Sequence, residues 1–324
     1  MNIKKKALVG IDVSKDTFSA HFSGKDCKYP NSRKGWQALA KEAPQNSTYA
    51  MEATGYYHYR LASYLHSKGF AVVVFNPCRV KHYFQSLGIK AKTDKIDARG
   101  IAGYALARGV KIRQWEPMSP RHARARVIVS LLSGLSRFER SSGNIRHSLS
   151  LVLSKKDSLL NSMSDVKNVC REHQKALEKE LYGLCGELFP NQFRLLKTIP
   201  GIGSKTAAVM LVCCKGLGEF PAYRQLVSFI GLAPTVKESG TSVRGKGRIS
   251  KTGNPYLRSL LFMCAMSAVN LKGVSKSLYC RLLAKGKNKM LAMVAVMHRL
   301  VKISFGVVQS GEPYRGSKTI LLPA

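Results

Sequence analysis

The chain has 324 residues, 45% of them hydrophobic, enough for two or three domains with sizeable cores. Its 53 Lys and Arg against 18 Asp and Glu give a formal net charge of +35, which favours a polyanionic partner, nucleic acid first, over neutral or basic ones. That charge runs from end to end, not in one amphipathic helix or tail, and no run of about 18 uninterrupted apolar residues offers a membrane span. The opening MNIKKKALVGIDVSK has too short an apolar run for a secretory signal. The eight cysteines include no CxxC pair, so a zinc site is not expected, and reduced thiols in a cytoplasm are the default.

The first hundred residues read as α/β. ALVGIDVS and TFSAHFSG form an antiparallel strand pair, and DCKYPNS adds a short third strand that Pro30 keeps at an edge. RKGWQALAKEA is a helix, STYAMEA a strand, YYHYRLASYLHSKG a helix ended by Gly69, and AVVVFNP a buried strand stopped by Pro77. CRVKHYFQSLG and TDKIDARGIAGYALARG are helices, the second with Thr93 as N-cap. Three successive strands followed by alternation predict a mixed sheet. There is no GxGxxG after the first strand and no GxxxxGK[ST], so nucleotide binding has no support in the motifs. WEPMSP at 115–120 is a linker. Residues 121–188 carry Leu, Ile and Val at mixed three- and four-residue spacing and no proline, which predicts long helices as an antiparallel pair or coiled coil, with a break at Ser141-Ser142-Gly143. The division expected is 1–114, 115–188 and a mostly helical 189–324 with a loose tail from Tyr314.

Four scarce carboxylates fall at informative places. Asp12 interrupts an apolar strand, where a charge is costly unless compensated. Glu52 ends the fourth strand before a Gly turn. Asp94 and Asp97 stand at i and i+3 on one helix face, with Cβ atoms about 5–6 Å apart. If the first and fourth strands are neighbours and the last helix crosses them, the four converge, and hard divalent cations relieve their repulsion. The bland alternatives are strand-end exposure of Asp12 and local salt bridges on a solvated helix. The eight histidines form no ligand-spaced cluster.

VGIDVSKDTF, YAMEATGYY and KTDKIDARGIA resemble the amino-terminal domain of DEDD insertion-sequence transposases and Piv DNA invertases. The resemblance implies a ribonuclease H-like (RuvC-like) domain whose catalytic, metal-binding acids are Asp12, Glu52, Asp94 and Asp97, with two Mg²⁺ or Mn²⁺ ions.

Two stretches of the last region carry chemistry. IPGIGSKTA (199–207) resembles a helix-hairpin-helix turn, with glycines that let amides approach a phosphate and Lys205 adding charge. The alternative is a tight turn between packed helices. FIGLAPTVKESGTSVRGKGRISKTGNPYLRSLLF (229–262) has Lys237, Arg244, Lys246, Arg248, Lys251 and Arg258 against Glu238 alone, a composition suited to phosphate contacts. On chemistry alone Ser239, Thr241 and Ser242 serve equally as a nucleophile. This stretch resembles the carboxy-terminal domain of the same family, which places a nucleophilic serine in the segment reading ESG here, hence Ser239. Tyr56, Tyr57 and Tyr59 suit base stacking, or, more simply, packing against the sheet.

The resemblance implies a site-specific DNA recombinase in a bacterial or archaeal cytoplasm, associated with the nucleoid. Metal-bound acids would activate a phosphodiester, Ser239 would form a covalent phosphoserine, and a dimer or tetramer would pair the breaks, with the middle helices as the assembly element. Some family members are guided by a structured bridge RNA, and positive charge alone does not separate RNA from DNA. The rival expectations are a metal-dependent nuclease or Holliday-junction resolvase, which needs no serine, and a non-catalytic nucleic-acid-binding protein.

Overall fold

The computed structural model describes residues 7–53, 55–88, 94–109, 114–154, 157–235, 238–239, 243–244 and 247–316. They form two compact units that divide between Met118 and Ser119.

The first unit is a five-strand mixed sheet. β1 (Leu8–Val13), β2 (Thr17–Phe22) and β3 (Lys25–Pro30) run as an antiparallel meander, followed by α1 (Arg33–Glu42), β4 (Thr48–Glu52), α2 (Tyr57–Ser67), β5 (Ala71–Phe75), α3 (Pro77–Ser86) and α4 (Asp94–Arg108). The strand order is β3-β2-β1-β4-β5, with β4 parallel to both β1 and β5. Ser23 and Gly24 join β2 to β3 with φ of 49° and 75°, the left-handed pair that matches strand twist in a two-residue hairpin. β3, which ends at Pro30, is an edge strand as expected. The period of two sorts β1 into opposite faces. Val9, Ile11 and Val13 enter a core with Phe18, Leu39 and Leu61, while Ala50 on the other face joins Val80, Ile101, Tyr104 and Ala105. Thr93, the expected cap of α4, lies outside the described residues.

The second unit begins with α5 (Pro120–Leu149) and α6 (Ser158–Leu188), each about 45 Å long at 1.5 Å per residue. Ser119 caps α5 by accepting from the His122 amide, and Asp157 caps α6 by accepting from Leu159. The break expected at Ser141-Ser142-Gly143 is absent, since α5 is continuous through it and Ser142 is buried. Small residues there permit close packing and do not stop the helix. The turn comes after Leu149. α7 (Pro190–Leu196), α8 (Ser204–Cys214), α9 (Tyr223–Ile230), α10 (Pro255–Asn270), α11 (Val274–Ala284) and α12 (Lys289–Ser310) complete the helical part. Ala125, Ile128, Leu132, Leu181 and Cys185 of the long helices share one core with Leu196, Leu211, Leu261 and Leu300, so 119–188 and the later helices pack as one body. Among the described residues α12 alone is a single helix long and apolar enough to cross a membrane. Its Val296, Leu300, Val301 and Val307 are instead buried in this core.

Candidate functional site

The parallel pairing of β1 with β4 sets Gly10 beside Ala50 and Ile11 beside Met51. One step further along the same register stand Asp12 and Glu52, at the carboxyl ends of neighbouring strands. By the two-residue period they lie on the face that carries Gly10 and Ala50, the face that α4 covers. The contact is close at Gly10. A Cβ there would collide with the Ala98 carbonyl and lie 2.7 Å from the Ala102 nitrogen. Small residues on both elements therefore bring helix backbone onto strand backbone, as a glycine inside a strand often signals.

Positions 94, 97, 101 and 104 share one flank of α4 by helical spacing. Tyr104 on that flank packs on Phe75 with ring centroids 4.8 Å apart, and Phe75 is the register partner of Glu52. Asp12, Glu52 and Asp97 are all half-buried. Of Asp94 the backbone position at the start of α4 is described. Asp12 and Glu52 thus stand at the ends of neighbouring strands, on the face that α4 covers. Among the described residues no three His, Cys, Asp or Glu side chains are already drawn together as a metal cage. The donor chemistry fits a hard cation: carboxylate oxygens from separate elements, facing one side of one sheet, partly open to water.

A second set of charges holds α4 in place. Asp26 on β3 is the register partner of His21, which is the partner of Gly10. Arg99 donates from Nε to Asp26 Oδ1 at 3.0 Å and from Nη2 to Oδ2, and His21 Nδ1 lies 2.7 Å from Oδ1. The Arg99 guanidinium first, and His21 second, lower the Asp26 pKa from 3.8 to about 2. A carboxylate with a depressed native pKa contributes stability that is complete above its unfolded value and is lost as pH falls through the native value. Asp26→Asn should therefore lower the melting temperature at pH 6, and the gap to the wild type should close as pH falls from 3.8 toward 2. Thermal melts of both proteins across that range check it, and a gap independent of pH would contradict it.

The other candidate stretch forms a ribbon. β6 (Pro234–Thr235) pairs with β9 (Arg248–Ile249), and further out β7 (Glu238–Ser239) pairs with β8 (Val243–Arg244). Ser239 pairs with Val243 beside the turn, and Arg244 is one register step away, opposite Glu238. At the root of the ribbon Gly231, with φ 84°, and Gly253 meet backbone to backbone. A Cβ on Gly231 would lie 2.7 Å from the Gly253 nitrogen. Arg258 Nη1 donates to Ile230 O at 3.1 Å and to Gly253 O at 2.6 Å, one carbonyl from each foot. Its guanidinium thus ties the two feet together.

The remaining candidates divide in the same way. Lys205 pairs with Glu178 of α6 at 2.7 Å. Gly201, with φ 92°, packs its Cα against α10, where a Cβ would lie 2.9 Å from the Cys264 carbonyl oxygen. The first glycine of the hairpin-like turn is therefore a helix-packing glycine. Arg248 and Lys251 are exposed, and Lys237 and Lys246 lie outside the described residues, as do Thr241 and Ser242. Tyr59 packs edge-on to Trp115 at 5.6 Å, but Tyr56 and Tyr57 are 52% and 48% exposed just beyond Glu52. The sequence did not single out Asp26 and Arg99. Their only signal was an acid on an edge strand in a chain poor in acids.

Comparison with known proteins adds an independent line. Residues 9–135 match a family model of DEDD transposases of the IS110 type, and residues 193–280 match the transposase IS116/IS110/IS902 family. The chain is 30% identical over 323 residues to the pilin gene-inverting protein of Moraxella bovis, covering 95% of this chain and 98% of that protein. It is 32% identical over 158 residues to an insertion element IS110 protein of 43.6 kDa from Streptomyces coelicolor, covering 49% of this chain and 38% of that one. It is 33% identical over 123 residues to the transposase for insertion sequence element IS1111A of Coxiella burnetii, covering 37% and 34%.

Proposed function

Because the chain belongs to the family of IS110-type transposases and pilin gene-inverting proteins, we propose that its acids and its ribbon serine carry the two halves of a DNA strand-exchange chemistry. The protein is a DNA recombinase or transposase, and DNA is its partner. The observation that most supports the finer proposal is the placement of Asp12 and Glu52 at the ends of adjacent parallel strands, on the face that α4 covers. We take the first unit as ribonuclease H-like, in keeping with its strand order.

In this proposal Asp12, Glu52, Asp94 and Asp97 offer hard oxygen donors to Mg²⁺ or Mn²⁺, two ions per site. When bound, such ions polarise a phosphodiester and stabilise charge on its attacking and leaving oxygens. The Ser239 hydroxyl attacks phosphorus. An Oγ–P bond forms, the bond from phosphorus to one deoxyribose oxygen breaks, the serine proton passes to solvent, and the departing oxygen takes a proton to become a free hydroxyl end. Attack by another DNA hydroxyl on the phosphoserine reverses these steps and rejoins strands without net hydrolysis.

Ser239→Ala tests this. With end-labelled DNA carrying the native sites, the wild type should give a protein–DNA adduct that survives denaturation, and Ser239→Ala should give neither adduct nor recombinant. Thr241→Ala and Ser242→Ala should keep both. Full-rate cutting by Ser239→Ala would favour a metal-dependent nuclease instead.

We further propose that the protein assembles through the α5–α6 hairpin into a dimer or tetramer. Leu131, Phe138 and Ile145 recur every seven residues along α5, each about half exposed. Such an apolar stripe matches a coiled-coil seam. The net charge of +35 also suits a structured guide RNA, and sequencing the RNA that co-purifies with the intact protein tests that part.

A further inference from the structure

In the second unit α9 packs on α12, and a tyrosine at the start of α9 gathers cations from both helices. Lys302 Nζ of α12 stands 4.9 Å from the centre of the Tyr223 ring, and the Arg224 guanidinium carbon stands 5.9 Å from it. Arg224 Nε also donates to Tyr223 Oη at 3.4 Å, and the His298 ring meets the tyrosine edge-on with centroids 6.0 Å apart. Tyr223, His298 and Lys302 are half-buried, and Arg224 is exposed. Burial first, and Lys302 second, lower the His298 pKa. Among the described residues neither Arg224 nor Lys302 forms an ion pair with a carboxylate.

The ring attracts both cations but does not neutralise them. Two like charges held on one half-buried ring repel each other until an anion joins them. The rest of α9 says which anion fits. Its solvent face runs from Arg224 through Gln225 and Ser228 to Phe229, whose ring is 53% exposed. Phe220 braces that ring edge-on, with centroids 5.5 Å apart. Phe229 stands at the root of the ribbon, where a Cβ on Gly253 would collide with its carbonyl oxygen. Arg224 and Phe229 are five residues apart, about 7.5 Å along the helix, a span comparable with one nucleotide of an extended strand. Cations set off in this way from an exposed aromatic suit a backbone phosphate and the face of an unstacked base. A duplex hides its base faces, so the match is to a single strand, and DNA is the partner that family membership supplies. From these features we infer that the exposed face of α9 is a single-stranded DNA track leading to the ribbon. One phosphate is held by Arg224, His298 and Lys302, and a neighbouring base stacks on Phe229. The track needs neither the acids nor Ser239, so it can fail while the proposed chemistry stands.

Binding of single-stranded DNA to the full chain tests it. The probe is a fluorescent oligothymidine strand carrying 5-iododeoxyuridine, titrated across a range of salt, with an oligouridine strand and a duplex for comparison. Ultraviolet irradiation of the bound strand should cross-link the wild type within α9, at Phe229, as peptide mapping reads. Phe229→Ala should weaken binding of the strand about tenfold and leave its salt dependence unchanged, since a stacked base carries no charge. Arg224→Gln combined with Lys302→Gln should lower the slope of log affinity on log salt by about 0.7, the change for one phosphate. Lys41→Gln, which removes an exposed charge from α1 of the first unit, should change neither. Melting temperature verifies the fold of each variant. A cross-link mapped wholly outside α9, a double variant no weaker than Lys41→Gln, or a duplex bound with the same dependence on Phe229 overturns the track. Tighter binding of the oligouridine with that dependence gives the face to RNA and equally overturns its assignment to DNA.

Discussion

Asp12→Asn should abolish recombination while leaving the protein folded. The amide has the shape of the carboxylate but lacks its charge, so the half-buried strand end keeps its packing and loses the anionic oxygen proposed to hold an ion. Removing one electrostatic stabiliser from a reacting site costs on the order of 10²–10³-fold, and a metal ligand belongs at the upper end. Glu52→Gln should behave alike, because the parallel register makes the two positions neighbours at the same end of adjacent strands. Melting temperature should stay near that of the wild type. Recombination frequency on the native sites, measured beside a thermal melt, checks both halves. Undiminished recombination would make the acids structural and favour a nucleic-acid-binding protein that lacks chemistry of its own.

Gly10→Val should produce the opposite pairing, with stability and activity lost together. Its branched side chain would enter the space held by the Ala98 carbonyl and the backbone of Ala102. Backbone on both sides cannot yield as a flexible side chain does, so α4 must lift from β1. Overpacking of this kind costs about 1–3 kcal/mol and sometimes more. The flank that carries Asp97 would move with the helix. Gly10→Ala should show the same effects at smaller size. A folded, fully active Gly10→Val protein would mean that α4 does not need its close seat on the sheet.

Much of the first unit was legible in the sequence because its strands obey simple rules. The alternation in LVGIDV, Pro30 at the edge and Gly69 after α2 marked elements, and three successive strands indicated a mixed sheet. Asp12 and Glu52 could be read as partners because each is a carboxylate at the end of an apolar run. What could not be read was long-range. Asp26 and Arg99 are 73 positions apart, and no local pattern links them. The carbonyls that Arg258 meets could not be read either, because charge in a sequence does not reveal which backbone groups a folded guanidinium will reach. The partner of Lys205, Glu178, was equally hidden, since it lies on another helix. Ser142 with its neighbours suggested a break by composition, yet small residues inside a long helix equally mark close contact with another, and burial decides between the two.

The most direct measurement is a titration of the intact protein with Mn²⁺, followed by the loss of the free ion's electron paramagnetic resonance signal, for the wild type and for Asp12→Asn, Glu52→Gln, Asp94→Asn and Asp97→Asn. If strand ends and helix flank build one cation site, each single substitution weakens binding by about tenfold or more while the melting temperatures stay near that of the wild type. Equal affinity in all five proteins would show that these carboxylates do not hold an ion together.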